Sequence, residues 1–323
     1  MDAFFDIVGR ELLDASPPDV DREAWAAFRE EFAKRERLES ASFPIQIDVE
    51  LNGGCNMRCP FCIHGYDKIP NVELSRESFE RILSEAVRLG AKSLKLNYIN
   101  EPLMRRDLEE CISLAKSVGF LNVFVVTNGT LLTEKRSESL LGSGLTKLFV
   151  SIDAATPETY DKQRLSGKYD LVVRNVKRFI EMRNDKGLSF PLVRVSFLKN
   201  ALNISEAEDF RRQWSGIADI ITFQTMNEVP GENTGIALDA PEPQQGCQFP
   251  FKQLVIDHQG NIQPCCKLAG KDLVVGKIDD MTLAEAWNHP KFVELRRMHA
   301  ANEWKGHPVC GPCMMPRGKN EPS

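Results

Sequence analysis

Short apolar runs alternate with stretches of helical period along most of the chain. Strands are expected near 45–51, 93–98, 121–126, 146–152, 192–198 and 219–225, where Val, Ile, Leu and Phe cluster. Between them, apolar residues recur every three or four positions, which predicts helices near 76–89, 105–118, 133–141, 169–183 and 205–215. Repeated βα units imply a parallel sheet, in which ligands gather at the carboxyl ends of the strands. Ahead of the first strand, two amphipathic helices are expected, broken at Ser16-Pro17-Pro18. Phe4, Ile7, Val8 and Leu12 would face one way, and Trp25, Phe28 and Phe32 would form an aromatic stripe packed in the core of a docking cap. After the last strand, Glu228–Gly235 and Ala240–Pro243 read as loop, which puts a domain boundary near 240. Beyond it, Leu254–Ile256 and Ile262 flank Asp257-His-Gln-Gly260-Asn261 as a β-hairpin, and helical stretches follow around 282–287 and 290–299.

Length and charge narrow this further. The chain has 323 residues, enough for one barrel domain with smaller additions, and divides into a helical cap (1–43), a βα region (44–240) and a C-terminal domain (241–323). The formal net charge is −5 and the charges are dispersed, so there is no electrostatic footprint for nucleic acid or an anionic membrane. A small or neutral substrate fits better. Met-Asp-Ala-Phe-Phe-Asp lacks the basic start of a signal peptide, and no run approaches the ~18 apolar residues of a membrane span. A cytoplasmic protein is expected. Nine cysteines in a reducing compartment argue for metal or redox chemistry rather than disulfides.

The cysteines fall in two arrays. The first is Cys55-Asn-Met-Arg-Cys59-Pro-Phe-Cys62, reached from the first strand through Asn52-Gly53-Gly54. Three thiolates on one short loop can hold three corners of an iron–sulfur cubane and leave the fourth iron open. The alternatives are a zinc site completed by His64, or buried thiols. The second array is Cys247, Cys265 and the pair Cys310-Gly-Pro-Cys313, which suits a second cluster or a tetrahedral zinc ion. Cys111, among Leu108, Ile112 and Ala115, reads as a core thiol. Cys266 is a neighbour of Cys265, an alternative ligand, or a thiol able to give a hydrogen atom to a substrate radical.

The first array and the strand ends together resemble the radical S-adenosylmethionine (SAM) superfamily. The resemblance implies an α/β fold: a partial (β/α)6 TIM-type barrel with N-terminal helices and a small C-terminal Fe–S domain. It implies that Cys55, Cys59 and Cys62 hold a [4Fe-4S] cluster whose open iron is chelated by SAM, with Phe61 beside the adenine. Asn100-Glu101-Pro102 stands where the family usually has Gly-Gly-Glu-Pro, so Glu101, with Asn100, would receive the methionyl amino group; the glycines are missing here. Thr127, Asn128, Ser151 and Asp153 occupy strand ends that line the cofactor pocket in the family. Arg164 matches an arginine that meets the cofactor carboxylate, and Ser196 is a further pocket residue. Thr-Asn-Gly is also a common turn, and Ser-x-Asp a common helix start. The C-terminal array resembles the SPASM/Twitch extension, and its four cysteines imply the Twitch form with one auxiliary [4Fe-4S] cluster.

The expected function is reductive SAM cleavage, followed by hydrogen abstraction from a small polar, carbohydrate- or cyclitol-like substrate. The leading reaction is alcohol dehydrogenation with the auxiliary cluster as electron acceptor, which makes the protein an oxidoreductase. A reductant such as flavodoxin or ferredoxin would be its protein partner. The alternatives are a radical epimerase with Cys266 as the catalytic hydrogen donor, a peptide-modifying maturase, and a structural protein bearing zinc or a cluster. Substrate identity and oligomeric state are not legible.

Overall fold

The computed structural model describes residues 5–165, 167–226, 236–238, 245–266 and 268–314. The loop and boundary expected between 228 and 243 lie largely outside these. Ten strands form one sheet: β1 (Phe5–Val8), β2 (Gln46–Val49), β3 (Ser93–Lys95), β4 (Asn122–Thr127), β5 (Lys147–Ser151), β6 (Leu192–Lys199), β7 (Ile220–Thr225), β8 (Gln253–Ile256), β9 (Asn261–Gln263) and β10 (Gly276–Lys277). Their spatial order is β1-β7-β6-β5-β4-β3-β2-β8-β9-β10. From β7 through β2 to β8 every pairing is parallel, whereas β1, β9 and β10 pair antiparallel. The linear order leaves the barrel open, as a partial TIM barrel requires.

The helices in chain order are α1 (Arg22–Glu36), α2 (Ile63–Tyr66), α3 (Arg76–Arg88), α4 (Leu108–Ser117), α5 (Glu134–Leu141), α6 (Pro157–Arg164), α7 (Tyr169–Asp185), α8 (Ala207–Trp214), α9 (Phe249–Lys252), α10 (Leu283–Trp287), α11 (Pro290–Ala300) and α12 (Cys310–Met314). α3 shows why these segments fold as they do. Ser75 Oγ caps it by accepting from Ser78 N at 3.0 Å, and Phe79, Ile82, Leu83 and Ala86 put one apolar stripe into the core. Burying each of its larger side chains is worth about 1.5–3 kcal/mol.

Two expectations change. The first amphipathic helix is absent: residues 5–8 are β1, followed by a 3-10 turn over Arg10–Asp14 and only then by α1. β7 would otherwise end the sheet with an open edge, and the extended segment pairs with it. The hairpin around 254–262 is present, yet β8 also lies parallel to β2, with Gln46 opposite Gln253 and Val49 opposite Ile256. The C-terminal region thereby adds a strand to the barrel sheet.

Period-two alternation splits β2 cleanly. Ile47, Val49 and Leu51 enter the core shared with the helices, while Gln46, Asp48 and Glu50 are buried on the opposite, barrel-interior face. Asp48 there meets Lys95 Nζ at 2.6 Å. At the other end of the strands, the aromatic stripe of α1 packs as expected: Trp25 and Phe28 join Val20 and Ile45 in a separate small core. Lys147 Nζ lies 5.5 Å from the Trp25 ring and donates to Leu13 O at 3.3 Å.

Candidate functional site

The loop after β2 carries the first cysteine array. Cys59 is buried, and Cys55 and Cys62 are half-buried. Cys62 N donates to Cys59 O at 3.0 Å and Gly65 N to Cys62 O at 2.7 Å, which coils the loop into α2. Arg58 Nη1 holds the carbonyls of Cys55 and Met57, each at 2.9 Å. Gly53 and Gly54 let other backbone and side chains approach: a Cβ on Gly53 would sit 2.6 Å from both His258 Nε2 and Pro70 O, and one on Gly54 would sit 2.4 Å from Asn71 Oδ1.

All three thiols wall a cavity of about 310 Å³ at the carboxyl ends of β2–β5. Its wall also includes Phe61, Asn100, Glu101, Thr127, Asn128, Ser151 and Arg164, seven of the expected cofactor residues, together with Asn97, Tyr98, Ile99 and Val126, which were not anticipated. The volume suits a small-molecule ligand. Burial pushes the Cys55 thiol up to about 11, so it stays protonated at neutral pH until a metal displaces the proton.

The polar groups around this cavity are fixed by one another. Glu101 is buried; its Oε1 accepts from Thr127 Oγ1 at 2.6 Å and Leu103 N at 3.0 Å, and its Oε2 from Asn128 N at 2.8 Å. It therefore caps the 3-10 turn Pro102–Met104 as well as facing the cavity. Desolvation raises its pKa against these donors. Asn100 donates to Asn52 Oδ1 at 2.8 Å, and Asn128 donates to Asn56 Oδ1 at 2.8 Å. This asparagine lattice ties β3 and β4 to the cysteine loop. Nothing in the local sequence pattern marked Asn52 or Asn56.

Two expected pocket residues stand elsewhere. Asp153 does not line the cavity: it is buried at φ 65, where its Oδ1 accepts from Leu198 N at 2.7 Å and its Oδ2 pairs with Arg164. It is the residue that holds the arginine, whose Nη1 points to Cys59 Sγ at 3.5 Å and whose Cζ lies 5.6 Å from the Phe61 ring centre. Arg164 thus sets a positive charge beside a cysteine rather than standing free. Ser196 pairs with Ser151 across the β5–β6 ladder and lies one strand beyond the cavity wall. His64, the residue expected to complete a zinc site, is buried and is not part of that wall.

The second array behaves differently. Cys247, Cys265, Cys310 and Cys313 wall one apolar cavity of about 150 Å³, with Phe249, Leu295, His299 and Val309 around them. Cys266 is not in that wall. A single tetrahedral zinc would draw the four sulfurs to about 3.8 Å from one another. Among the described residues no three Cys, His, Asp or Glu stand close enough to grip one ion. Four thiols around one apolar cavity are the ligand set of a four-iron cluster as well as of zinc. Burial pushes Cys247 and Cys310 up to about 12. Beside Gly53, Glu50 just past β2 joins His258 in the β8–β9 turn, Oε2 to Nδ1 at 2.6 Å, and the pairing raises the histidine pKa.

Comparison with known proteins agrees with this arrangement. Residues 49–194 match the model of the radical SAM superfamily, and residues 247–314 match that of the SPASM iron-sulfur cluster-binding domain. The chain belongs to the radical SAM superfamily and carries a C-terminal SPASM domain. The family's [4Fe-4S] cluster and S-adenosylmethionine, and the auxiliary Fe–S clusters of that domain, are accordingly its cofactors. Among curated relatives, the probable GTP 3′,8-cyclases of Methanothermobacter marburgensis and Methanocaldococcus jannaschii are 32% and 29% identical, over 58% and 56% of this chain. The chain spans 60% of the length of each. The crystal structure of BtrN in complex with AdoMet and 2-DOIA shares the fold at TM-score 0.61 and 19% identity, covering 85% of this chain and 94% of that one. Streptococcus suis SuiB bound to S-adenosylmethionine does so at 0.59 and 18%, covering 85% and 72%. Among the described residues no helix is long and apolar enough to cross a membrane.

Proposed function

We propose that this radical SAM enzyme oxidises a small, hydroxylated substrate. In this reading Cys55, Cys59 and Cys62 hold the SAM-binding cluster, while Cys247, Cys265, Cys310 and Cys313 hold one auxiliary cluster. The observation that carries it is the four-thiol wall of the second cavity: a cluster gripped at all four corners has no place for substrate and is suited to taking electrons. When bound, the first cluster and SAM supply a 5′-deoxyadenosyl radical that abstracts hydrogen, and the auxiliary cluster supplies an electron sink. The chain's own residues do the rest. Glu101, already fixed by three donors, offers a carboxylate to an ammonium group. Arg164, locked by Asp153, offsets negative charge at Cys59. Ser151 faces the cavity where a ribose hydroxyl would lie. The barrel interior next to it receives the substrate and excludes water.

The BtrN complex, which holds 2-DOIA beside AdoMet, supports a small-molecule substrate. The names of the curated relatives, probable GTP 3′,8-cyclases, make a nucleotide the alternative substrate class. A second reading is favoured by Cys266, which lies outside the four-thiol wall and within electrostatic reach of Lys95 and Tyr98 of the barrel as well as of Cys247 in that wall. There it can return a hydrogen atom, which would give an epimer. A small soluble reductant, flavodoxin or ferredoxin, and a cytoplasmic setting complete the proposal.

The test is iron and sulfide content of anaerobically prepared protein, then dithionite reduction with SAM and assay of 5′-deoxyadenosine, before screening sugars and cyclitols. About eight irons and deoxyadenosine are expected. Cys59→Ala should abolish deoxyadenosine formation, and Cys313→Ala should lose about half the iron. Full iron retention in Cys313→Ala would remove the auxiliary site. Turnover to a ketone that survives Cys266→Ser would remove the epimerase reading.

A further inference from the structure

We propose that the barrel interior carries an anion subsite built on Arg194, and that the substrate bears a carboxylate or phosphate group that docks there. This rests on the barrel being the substrate chamber and replaces the expectation of a neutral substrate.

Arg194 lies on β6, in register with Phe149 on β5 and Ile220 on β7. Its guanidinium carbon is 3.5 Å from the centre of the Phe149 ring, and Phe124 backs that ring at 5.2 Å between centroids. Stacking of this kind fixes the plane of the guanidinium and leaves its edge donors to find partners. Among the described residues Arg194 finds none, and its Nε is a buried atom without a hydrogen bond. The other buried arginines are all occupied: Arg35 by Glu31, Arg105 by Asp107, Arg164 by Asp153, Arg183 by Asp219, and Arg296 by the Trp287 carbonyl. Arg194 keeps some accessible surface on the barrel-interior side of β6, opposite to Val193 and Val195 in the core. Burial lowers its pKa only to about 10, so it is charged at neutral pH.

The neighbouring charges leave an excess of positive charge. Lys95 and Lys147 both lie near enough to feel Arg194, and the carboxylates acting on them are already paired, Asp48 with Lys95 and Asp14 with Arg29. Glu50 is committed to His258 and to Ile99 N. An unpaired buried cation is destabilising, so a chain that keeps one here has a use for it. Its place fits a substrate contact. Ser151, two residues beyond Phe149 on the same face of β5, walls the SAM cavity. The subsite is therefore one side-chain layer below the cofactor, about 7 Å along the strand. Ser196 and Thr222 lie in the Ser151 layer by register and put hydroxyl groups above the guanidinium, for the uncharged part of the substrate.

The experiment is thermal unfolding of the anaerobic holoprotein with SAM, in sodium chloride against sodium succinate and sodium phosphate at matched ionic strength. Wild type should gain about 2 °C from at least one of the two anions, present at about five times its dissociation constant. The one that acts distinguishes carboxylate from phosphate. R194K should keep a smaller response, because the charge remains and the planar fork is lost. R194M should be more stable than wild type in chloride and indifferent to the anions. No gain over chloride in wild type, an undiminished gain in R194M, or a loss of stability of folded R194M in chloride would each overturn the subsite. If R194M does not fold, wild type and R194K decide the case. Deoxyadenosine formation by wild type, assayed on the same sample, tests the radical chemistry separately, because the anion response does not depend on it.

Discussion

Arg194, half-buried, and Lys147, buried, are both cations of the barrel interior, and they differ in what surrounds them. Burial and the nearby Arg29 and Arg194 hold the Lys147 ammonium down to about 7, against an unfolded value of 10.5. The unfolded chain therefore binds more protons than the folded one between about pH 7 and 10.5, so this residue makes stability rise with pH across that window. Below about 7 its full cost is felt. Lys147→Met should add about 1–3 kcal/mol at pH 7 and flatten that rise. Denaturant unfolding at several pH values measures it, and an unchanged slope would refute the assignment. Asp153 shows what a strand-end pattern leaves out. Ser-x-Asp placed it correctly along the chain, but its left-handed backbone turns the carboxylate to Leu198 and Arg164, and sequence carries no direct sign of that turn.

At the scale of elements, the parallel strands and their helices were legible because apolar runs of five or six residues and amphipathic stripes are local signals. β1 was not. Phe4, Ile7, Val8 and Leu12 fit a helical face as readily as residues 5–8 fit a short strand, and the open edge of β7 decides. The cysteine spacing named both cavities, while the asparagine lattice behind the first arises from strands brought together by the fold. The Gly53-Gly54 pair belongs to this scale too, since it joins the end of β2 to the cluster loop. Gly53→Ala forces a methyl group against the Pro70 carbonyl and the His258 ring. It should cost about 1–3 kcal/mol and lower iron loading selectively at the first site. Melting temperature and iron per chain test it, and wild-type values for both would show that the loop yields freely.

For the whole molecule, the pairing of β8 with β2 matters most. It joins Gln46 to Gln253, partners more than two hundred residues apart, and it hangs the two thiol cavities on adjoining strands of one sheet. A local reading of sequence finds both strands and cannot find their union. It also sets the order of events during synthesis. The strand that leads into the first cluster loop emerges early, yet its outer edge stays open until residues 253–256 have left the ribosome. Pairings this distant in sequence form slowly, and an unpaired edge is where chains adhere to one another. A chain ending at residue 240 should accordingly aggregate and load little iron even though every first-site cysteine is present. Soluble, iron-loaded protein from that truncation would show that β2 tolerates an open edge. If the truncation aggregates as expected, metal delivery to the nascent barrel has to wait for β8, so the cell meets this enzyme as an all-or-none assembly.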